Sequence, residues 1–374
     1  MKKILCVIIS CIMLIGLCAC SSKKNNLPVF KHTEGETTEE LAMSYLEYIG
    51  TNLKDRSVDN KSGDHGAAVQ FIISELKASG YTDKQIVSDK LVSDRNGVVV
   101  QNIVLSVKGK SSERQIIVGA HYDGTGVGDN GSGMALLLAN AVKMIGTTPD
   151  YDVKYIFFDA EELGIIGSDL YSNRMSAEEI NKTIYMINMD CLSFGDYCSI
   201  YGGMTNHETG EVEGTEAYEY ACEKARELGI KVYETKDLDG YFKEHGKGPQ
   251  IETNTLYTNP WTKENPSKEF GGKDWYQEYS PSTIPASDYL PFAENGIPCI
   301  YFEAANWFAK GDGKEEAFSG LFETDDVSVG YYGMFMNTEH DTLENLKTIF
   351  PGRAEAHFAI YAPLLEKLIN SPME

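Results

Sequence analysis

The sequence predicts an α/β protein, a three-layer fold whose mixed, mainly parallel central sheet carries helices on both faces. Three observations lead to this. Apolar runs rich in β-branched and aromatic residues at 115–120, 153–158 and 184–188 have the composition of buried strands. Helical periodicity falls between them: Met134, Leu137, Leu138, Ala141, Val142 and Ile145 recur at helical spacing, and 165–173 reads as a second helix. Polar loops rich in His, Asp and Glu stand at the carboxyl ends of those strands, where open α/β sheets place their ligands.

The remaining elements follow in chain order. Lys2 and Lys3 precede an apolar run over 4–17, short for a membrane span, that ends in Leu17-Cys18-Ala19-Cys20. This resembles a bacterial lipoprotein signal. Residues 1–19 would be removed and Cys20 lipidated, which would anchor the protein to a bacterial membrane outside the cytoplasm. An ordinary secretory signal or an uncleaved anchor is the alternative. Residues 20–36 are polar and read as a flexible tether, leaving 37–374 as the folded domain. Helices are expected over 37–52 and 64–79, the second with Asp64 as N-cap and Gly80 as its end. Short strands follow at 85–92 and 97–107. Beyond 190 come a helix at 215–229, a strand at 297–302, an acidic loop at 311–333 and a closing helix at 353–369. Between about 234 and 285 the periodicity fails, and Trp261, Trp275, Tyr276 and Tyr279 stand among Gly, Pro and Asn. That stretch reads as an insertion, either a lid over the site or a plain surface loop.

Composition narrows the function. The formal charge of −23 over 374 residues argues against nucleic acid as a partner, because phosphates would be repelled. Cys191, Cys198, Cys222 and Cys299, the cysteines outside the signal, fit no CxxC metal pattern, and buried free thiols are the simpler reading.

The chemistry-bearing residues lie at successive strand ends: His121 with Asp129 in HYDGTGVGDNGSG, Glu161 with Glu162, Asp190, and later His340. Singly, each has an ordinary explanation as a surface polar residue or helix cap. Together, carboxylates converging at strand ends would repel one another unless a cation neutralised them. Mixed imidazole and carboxylate donors suit zinc and its neighbours. Asp123, two residues after His121, can accept the second ring N–H and fix the tautomer.

HYDG, GDNGSG, FFDAEELGIIGS, NMD and EHDTLENL resemble the motifs of the co-catalytic zinc aminopeptidases, the aminopeptidase Y and bacterial leucyl aminopeptidase group. The resemblance is dense over 116–190 and returns in pieces over 287–346. It implies one α/β domain with a mixed eight-stranded sheet, and two zinc ions. His121 and Asp190 would bind one ion, Glu162 and His340 the other, and Asp129 would bridge them. Glu161 would be the general base and peptides the substrates; Asp123, read from its place beside His121, stands with Glu161 as a candidate catalytic residue. Ser287-Asp288-Tyr289 departs from the group's SDH by placing Tyr289 where His is usual, so Tyr289 is a candidate substrate contact. A glutaminyl cyclase shares the fold with a single metal. A carboxypeptidase would need a cation for the substrate carboxylate, with Arg174 the only arginine near a motif. A non-catalytic binding lipoprotein would be free to lose the base and the ligands.

Overall fold

The computed structural model describes residues 27–88, 90–94, 96–205, 212–233, 253–258, 286–305, 335–336 and 338–373. The expected signal and Cys20, the acidic loop over 311–333 and most of the expected insertion lie outside these residues. Among the described residues no helix is long and apolar enough to cross a membrane.

The strands are β1 (Ile86–Val87), β2 (Leu91–Val92), β3 (Val99–Val100), β4 (Ile103–Val107), β5 (Ser111–His121), β6 (Tyr151–Phe158), β7 (Thr183–Met189), β8 (Tyr197–Gly202), β9 (Met204–Thr205), β10 (Val212–Glu213), β11 (Lys231–Tyr233), β12 (Thr255–Thr258) and β13 (Cys299–Ala305). The helices are α1 (Thr38–Asn52), α2 (Asp64–Ser79), α3 (Gly131–Lys143), α4 (Ile166–Ser172), α5 (Ala177–Lys182), α6 (Glu216–Glu227), α7 (Leu290–Glu294), α8 (Leu343–Ile349) and α9 (Arg353–Asn370).

Among the described residues nine strands form one sheet, in the order β1-β4-β6-β5-β7-β13-β8-β12-β11. The middle, β6-β5-β7-β13, is parallel throughout. The antiparallel pairs β4–β6 and β13–β8 make the sheet mixed. The expected architecture therefore holds, with nine strands rather than eight. From β5 the chain crosses to β6 on one side, then returns through α4 and α5 to β7 on the other. Neighbouring connections that leave in opposite directions open a crevice at the carboxyl end of β5. His121 ends β5, Asp159 follows β6 and Asp190 follows β7, so the topology delivers the expected loops to one edge. The sheet is covered by α1, α3 and α9 in one apolar cluster and by α4 and α7 in a second.

Local chemistry explains the helix starts. Thr37 caps α1 in a capping box with Glu40, as the periodicity expects. α2 differs slightly: Gly63, at φ +94°, is its cap, and Asp64 is the first helical residue. That φ favours glycine, whereas Asp64 at N1 still suits the positive end of the helix.

Two expectations need correction. The tether read over 20–36 is not free along its whole length. From Leu27 the chain lies on the body: the Phe30 ring packs 4.5 Å from Tyr45, Tyr48 donates to the Pro28 carbonyl at 2.6 Å, and His32 contacts Glu75 at 3.0 Å. Apolar Leu27 and Phe30, scattered among polar neighbours, bury themselves on α1 and α2. Within the expected insertion, Thr255–Thr258 is a strand, hydrogen-bonded in parallel to both β8 and β11. Four residues are too short to show a period. The thiol reading holds: Cys191, Cys198, Cys222 and Cys299 are all buried, and among the described residues none of them forms a disulfide.

Candidate metal centre

β5 is buried over its last seven residues, and its final side chain, His121, turns inward at the sheet edge. Its Nε2 lies 3.2 Å from Asp129 Oδ1, 3.3 Å from Asp190 Oδ1 and 3.9 Å from Glu161 Oε2. Ligand atoms of His121, Asp129 and Asp190 all fall within 4.8 Å of one another. Neither ring nitrogen of His121 nor Asp190 Oδ1 makes a hydrogen bond, although all are buried. Two of these atoms, His121 Nε2 and Asp190 Oδ1, face each other 3.3 Å apart, and buried polar atoms so placed are the arrangement a cation completes.

The electrostatics agree. Burial first, then Asp129, pushes the Glu162 carboxyl up to about 8, and burial holds Glu161 well above the carboxylate range. Burial disfavours a charged His121, yet Asp190 and Glu161 hold its pKa well above the ordinary value. These acids keep their protons because burial and, after it, the neighbouring carboxylates disfavour their charged forms. The donor set, one imidazole among carboxylates, fits zinc.

Each ligand is held by neighbours. The Asp123 carboxylate accepts the backbone N–H groups of Glu161 at 3.1 Å and Glu162 at 3.3 Å, and lies 3.4 Å from His121 Nδ1. Asp123 therefore joins the β5 loop to the β6 loop, a larger task than orienting one ring. Glu162 Oε1 rests over Gly124, where a Cβ would stand 2.6 Å from it. Ser287 donates to Asp190 Oδ2 at 2.8 Å and accepts from Asn188 at 2.8 Å. Asn130 binds the Met189 carbonyl through Nδ2 while its Oδ1 accepts from Gly133 and Cys191, tying the start of α3 to the Asp190 turn.

Sequence reasoning missed three of these supports. Asp341 accepts the N–H groups of Gly128 at 2.6 Å and Asp129 at 3.0 Å, and its own carbonyl accepts from Val127. It stands beside His340 in the EHDTL motif, so the motif served two purposes and only the histidine was read. Ser287 was likewise visible in its segment without a role. Arg56 carried no signal: it sits in a polar stretch, yet is fully buried and donates to the carbonyls of Leu53, Tyr122 and Gly126. Its guanidinium gives the acidic cluster a fixed cation behind the loop.

The remaining expected residues fall as follows. After burial, the carboxylates of Asp129, Asp123 and Asp190 push Glu162 up and the His121 ring draws it down, so it shares the charge of the cluster. His340 is half-buried on the loop before α8, with its ring edge-on to Phe335, and its carbonyl accepts from Asn345. Tyr289 does not face the cluster as a substrate contact would. It is 1% exposed and stacked on Tyr301 in the second apolar core, because α7 folds it inward. Arg174 is exposed in the turn after α4.

Residues 102–242 match the sequence model of peptidase family M28. Leupeptin-inactivating enzyme 1 of Streptomyces exfoliatus is 29% identical over 156 residues, 40% of this chain and 34% of that protein. A probable lipoprotein aminopeptidase of Mycobacterium tuberculosis is 27% identical over 154 residues, 39% of this chain and 31% of that protein. The chain thus spans about a third of the length of these curated relatives. Among solved structures, a Zn-dependent exopeptidase of Parabacteroides distasonis aligns with TM-score 0.55 and 15% identity over 92% of this chain and 99% of that one. A glutaminyl cyclase of Tannerella forsythia aligns with TM-score 0.54 and 16% identity over 92% and 100%. At such identities these likenesses speak for the fold alone.

Proposed function

We propose, taking as premise that residues 102–242 belong to peptidase family M28, that this protein is a zinc-dependent exopeptidase. Its reaction is the removal of N-terminal residues from peptides outside the cytoplasm. The observation that carries this is the convergence of His121, Asp129 and Asp190, with Glu161 and Glu162 beside them, at the carboxyl edge of the parallel strands. His121 and Asp190 would hold one zinc ion, Glu162 and His340 a second, and Asp129 both. Zinc so held supplies a Lewis acid for the scissile carbonyl and acidifies a water molecule. Glu161 would accept a proton at Oε2 as general base and return it to the leaving amine. Asp123, holding the N–H of both glutamates, keeps base and ligand apart on one turn. The acidic surroundings favour a cationic α-amine. A carboxypeptidase would need a free cation nearby; among the described residues Arg56 is committed to backbone carbonyls and Arg174 is exposed.

The fold leaves a second reading, glutaminyl cyclisation, to be separated by experiment, since the cyclase structure aligns as well as the exopeptidase. The lipid anchor on Cys20 belongs to the same proposal. Its support is the Leu17–Cys20 motif and the relative named a lipoprotein aminopeptidase.

The test is zinc analysis of the purified protein with a panel of aminoacyl amides, N-acetylated peptides and N-terminal glutaminyl peptides. Release of unblocked N-terminal residues is the expected result. Conversion of glutaminyl peptides to pyroglutamyl peptides alone would assign the cyclase, and binding without turnover would assign a binding protein. In cells, Cys20→Ser should move the protein from the membrane to the soluble fraction. Equal partition of both forms would remove the anchor from the proposal.

A further inference from the structure

A polar knot outside the ligand set joins the two strand ends that carry the site. Its centre is Asp159, fully buried, the residue after β6 and two before Glu161. One carboxylate oxygen accepts the Gln101 backbone N–H at 2.7 Å, and the other meets His65 Nε2 at 2.8 Å. The same His65 nitrogen lies 3.3 Å from the Tyr122 hydroxyl, and the two rings are 5.3 Å apart at 34°. Tyr122 directly follows His121, and its hydroxyl donates to the Gln101 carbonyl at 3.1 Å. The Asp159 N–H in turn donates to Asn102 Oδ1, while Asn102 Nδ2 donates to the Gly167 carbonyl.

The knot clamps the turn 159–167 at both ends. That turn needs clamping, because Ala160 and Ile165 both sit at positive φ, +59° and +60°, a conformation side chains disfavour. Nothing about Ala160 itself secures the aim of the next two residues, Glu161 and Glu162. The Asp159 carboxylate secures it from one side and Asp123 from the other. His65 reaches Asp159 from the first turn of α2, with 18% of its side chain exposed over a carboxylate that is wholly enclosed. Without His65, one oxygen of a buried carboxylate loses its partner, and the turn must shift to find another.

We infer that His65 is a positioning residue for this site: through Asp159 and Tyr122 it holds the turn of Glu161 and Glu162 in register with His121. The inference rests on the proposed roles of those two glutamates. It makes α2 part of the active-site frame, although no residue of α2 is a ligand.

The test compares His65→Ala with His65→Gln in the full chain. The Gln amide can place a nitrogen donor near the position of His65 Nε2, whereas Ala cannot. Four quantities are measured: zinc affinity by chelator competition, the visible spectrum of the cobalt-substituted protein, and kcat and KM on an aminoacyl amide. Loss of a direct partner of a metal ligand costs about 10–100-fold in metal affinity or activity, and His65 acts one residue further out, so the lower end, about 10-fold, is expected. His65→Ala should show a loss of that size in zinc affinity or kcat, little change in KM, and altered cobalt bands. His65→Gln should restore each to within about threefold. Wild-type cobalt bands and zinc affinity in His65→Ala would overturn the inference. So would a loss that follows the fall in melting temperature and is shared equally by Gln. If the wild type turns over no peptide, the functional reading fails, while the cobalt and zinc measurements still decide the role of His65.

Discussion

Glu161 and Glu162 are chemically identical neighbours, and only their surroundings separate them. Glu161 Oε2 points to the shared centre, 3.9 Å from His121 Nε2, whereas Glu162 Oε1 lies over Gly124, close in charge to Asp129. In the proposed mechanism a base must accept a proton in the transition state, and a ligand must hold metal beforehand. Glu161→Gln should therefore lower kcat by at least ~10²–10⁴-fold, the usual worth of general acid–base catalysis, and leave zinc per chain unchanged. Glu162→Gln should lose metal together with activity. Zinc analysis and turnover of both proteins decide this, and a Glu161→Gln protein of wild-type rate would end the proposed mechanism. The ligands were legible at this scale because His and acidic residues stand out after apolar runs. Arg56 and His65 were not, because each acts through contacts 57–94 residues away in sequence, and no local pattern marks such a partner.

The element that matters most is the unit β5, loop and α3. Its strand and helix were readable from a β-branched run followed by helical spacing, though the helix begins at Gly131, three residues before the apolar stripe. Gly133 in its first turn admits no side chain: a Cβ there would stand 2.4 Å from Asn130 Oδ1 and from the Met189 carbonyl. The loop is equally tight. A Cβ on Gly126 would fall 2.0 Å from Asp341 Oδ2 and 2.5 Å from the Asp129 carbonyl oxygen. Gly126→Ala must therefore displace either the carboxylate that holds the Asp129 backbone or Asp129 itself. Overpacking of this kind costs about 1–3 kcal/mol. The expected outcome is weaker zinc binding with a lower melting temperature, and a protein with wild-type zinc affinity would show that the loop is not held by Asp341. Strands that depend on their neighbours were harder to read. β8 (Tyr197–Gly202) has no apolar run, and β12 is four residues among turn formers, so both take their place from the sheet rather than from their own composition.

Across the whole molecule, the sheet gathers its acids at one edge at a cost in charge that sets how stability responds to pH. Burial raises Glu162 to about 8, and Asp288 and Asp341 to about 7 each, from ordinary carboxylate values near 4. An acid whose folded pKa is raised keeps its proton in the folded state where the unfolded chain has lost it. Its stabilising effect is complete below the unfolded value and disappears as pH rises through the folded one. His121, also raised, acts in the same direction, since its folded form holds a proton that the unfolded form releases. His357 opposes them, because burial lowers it to about 4, but its contribution is complete once the unfolded imidazole is neutral near 6.5. Asp190, lowered, has likewise reached its full effect well below that pH. Between pH 6.5 and 8.5 the remaining groups all push one way, so the metal-free protein should lose stability as pH rises. Each proton released on unfolding in this window changes the slope by about 1.4 kcal/mol per pH unit. Zinc reverses the trend, since it binds the deprotonated carboxylates and competes with protons for them. The measurement is the melting temperature of chelator-treated and zinc-loaded protein across that range. The gap between the two forms should widen steadily toward pH 8.5, and Glu162→Gln should flatten the slope of the metal-free form. A metal-free melting temperature that stays level or climbs would mean that the acids at the sheet edge are not the strained, cation-seeking cluster described above.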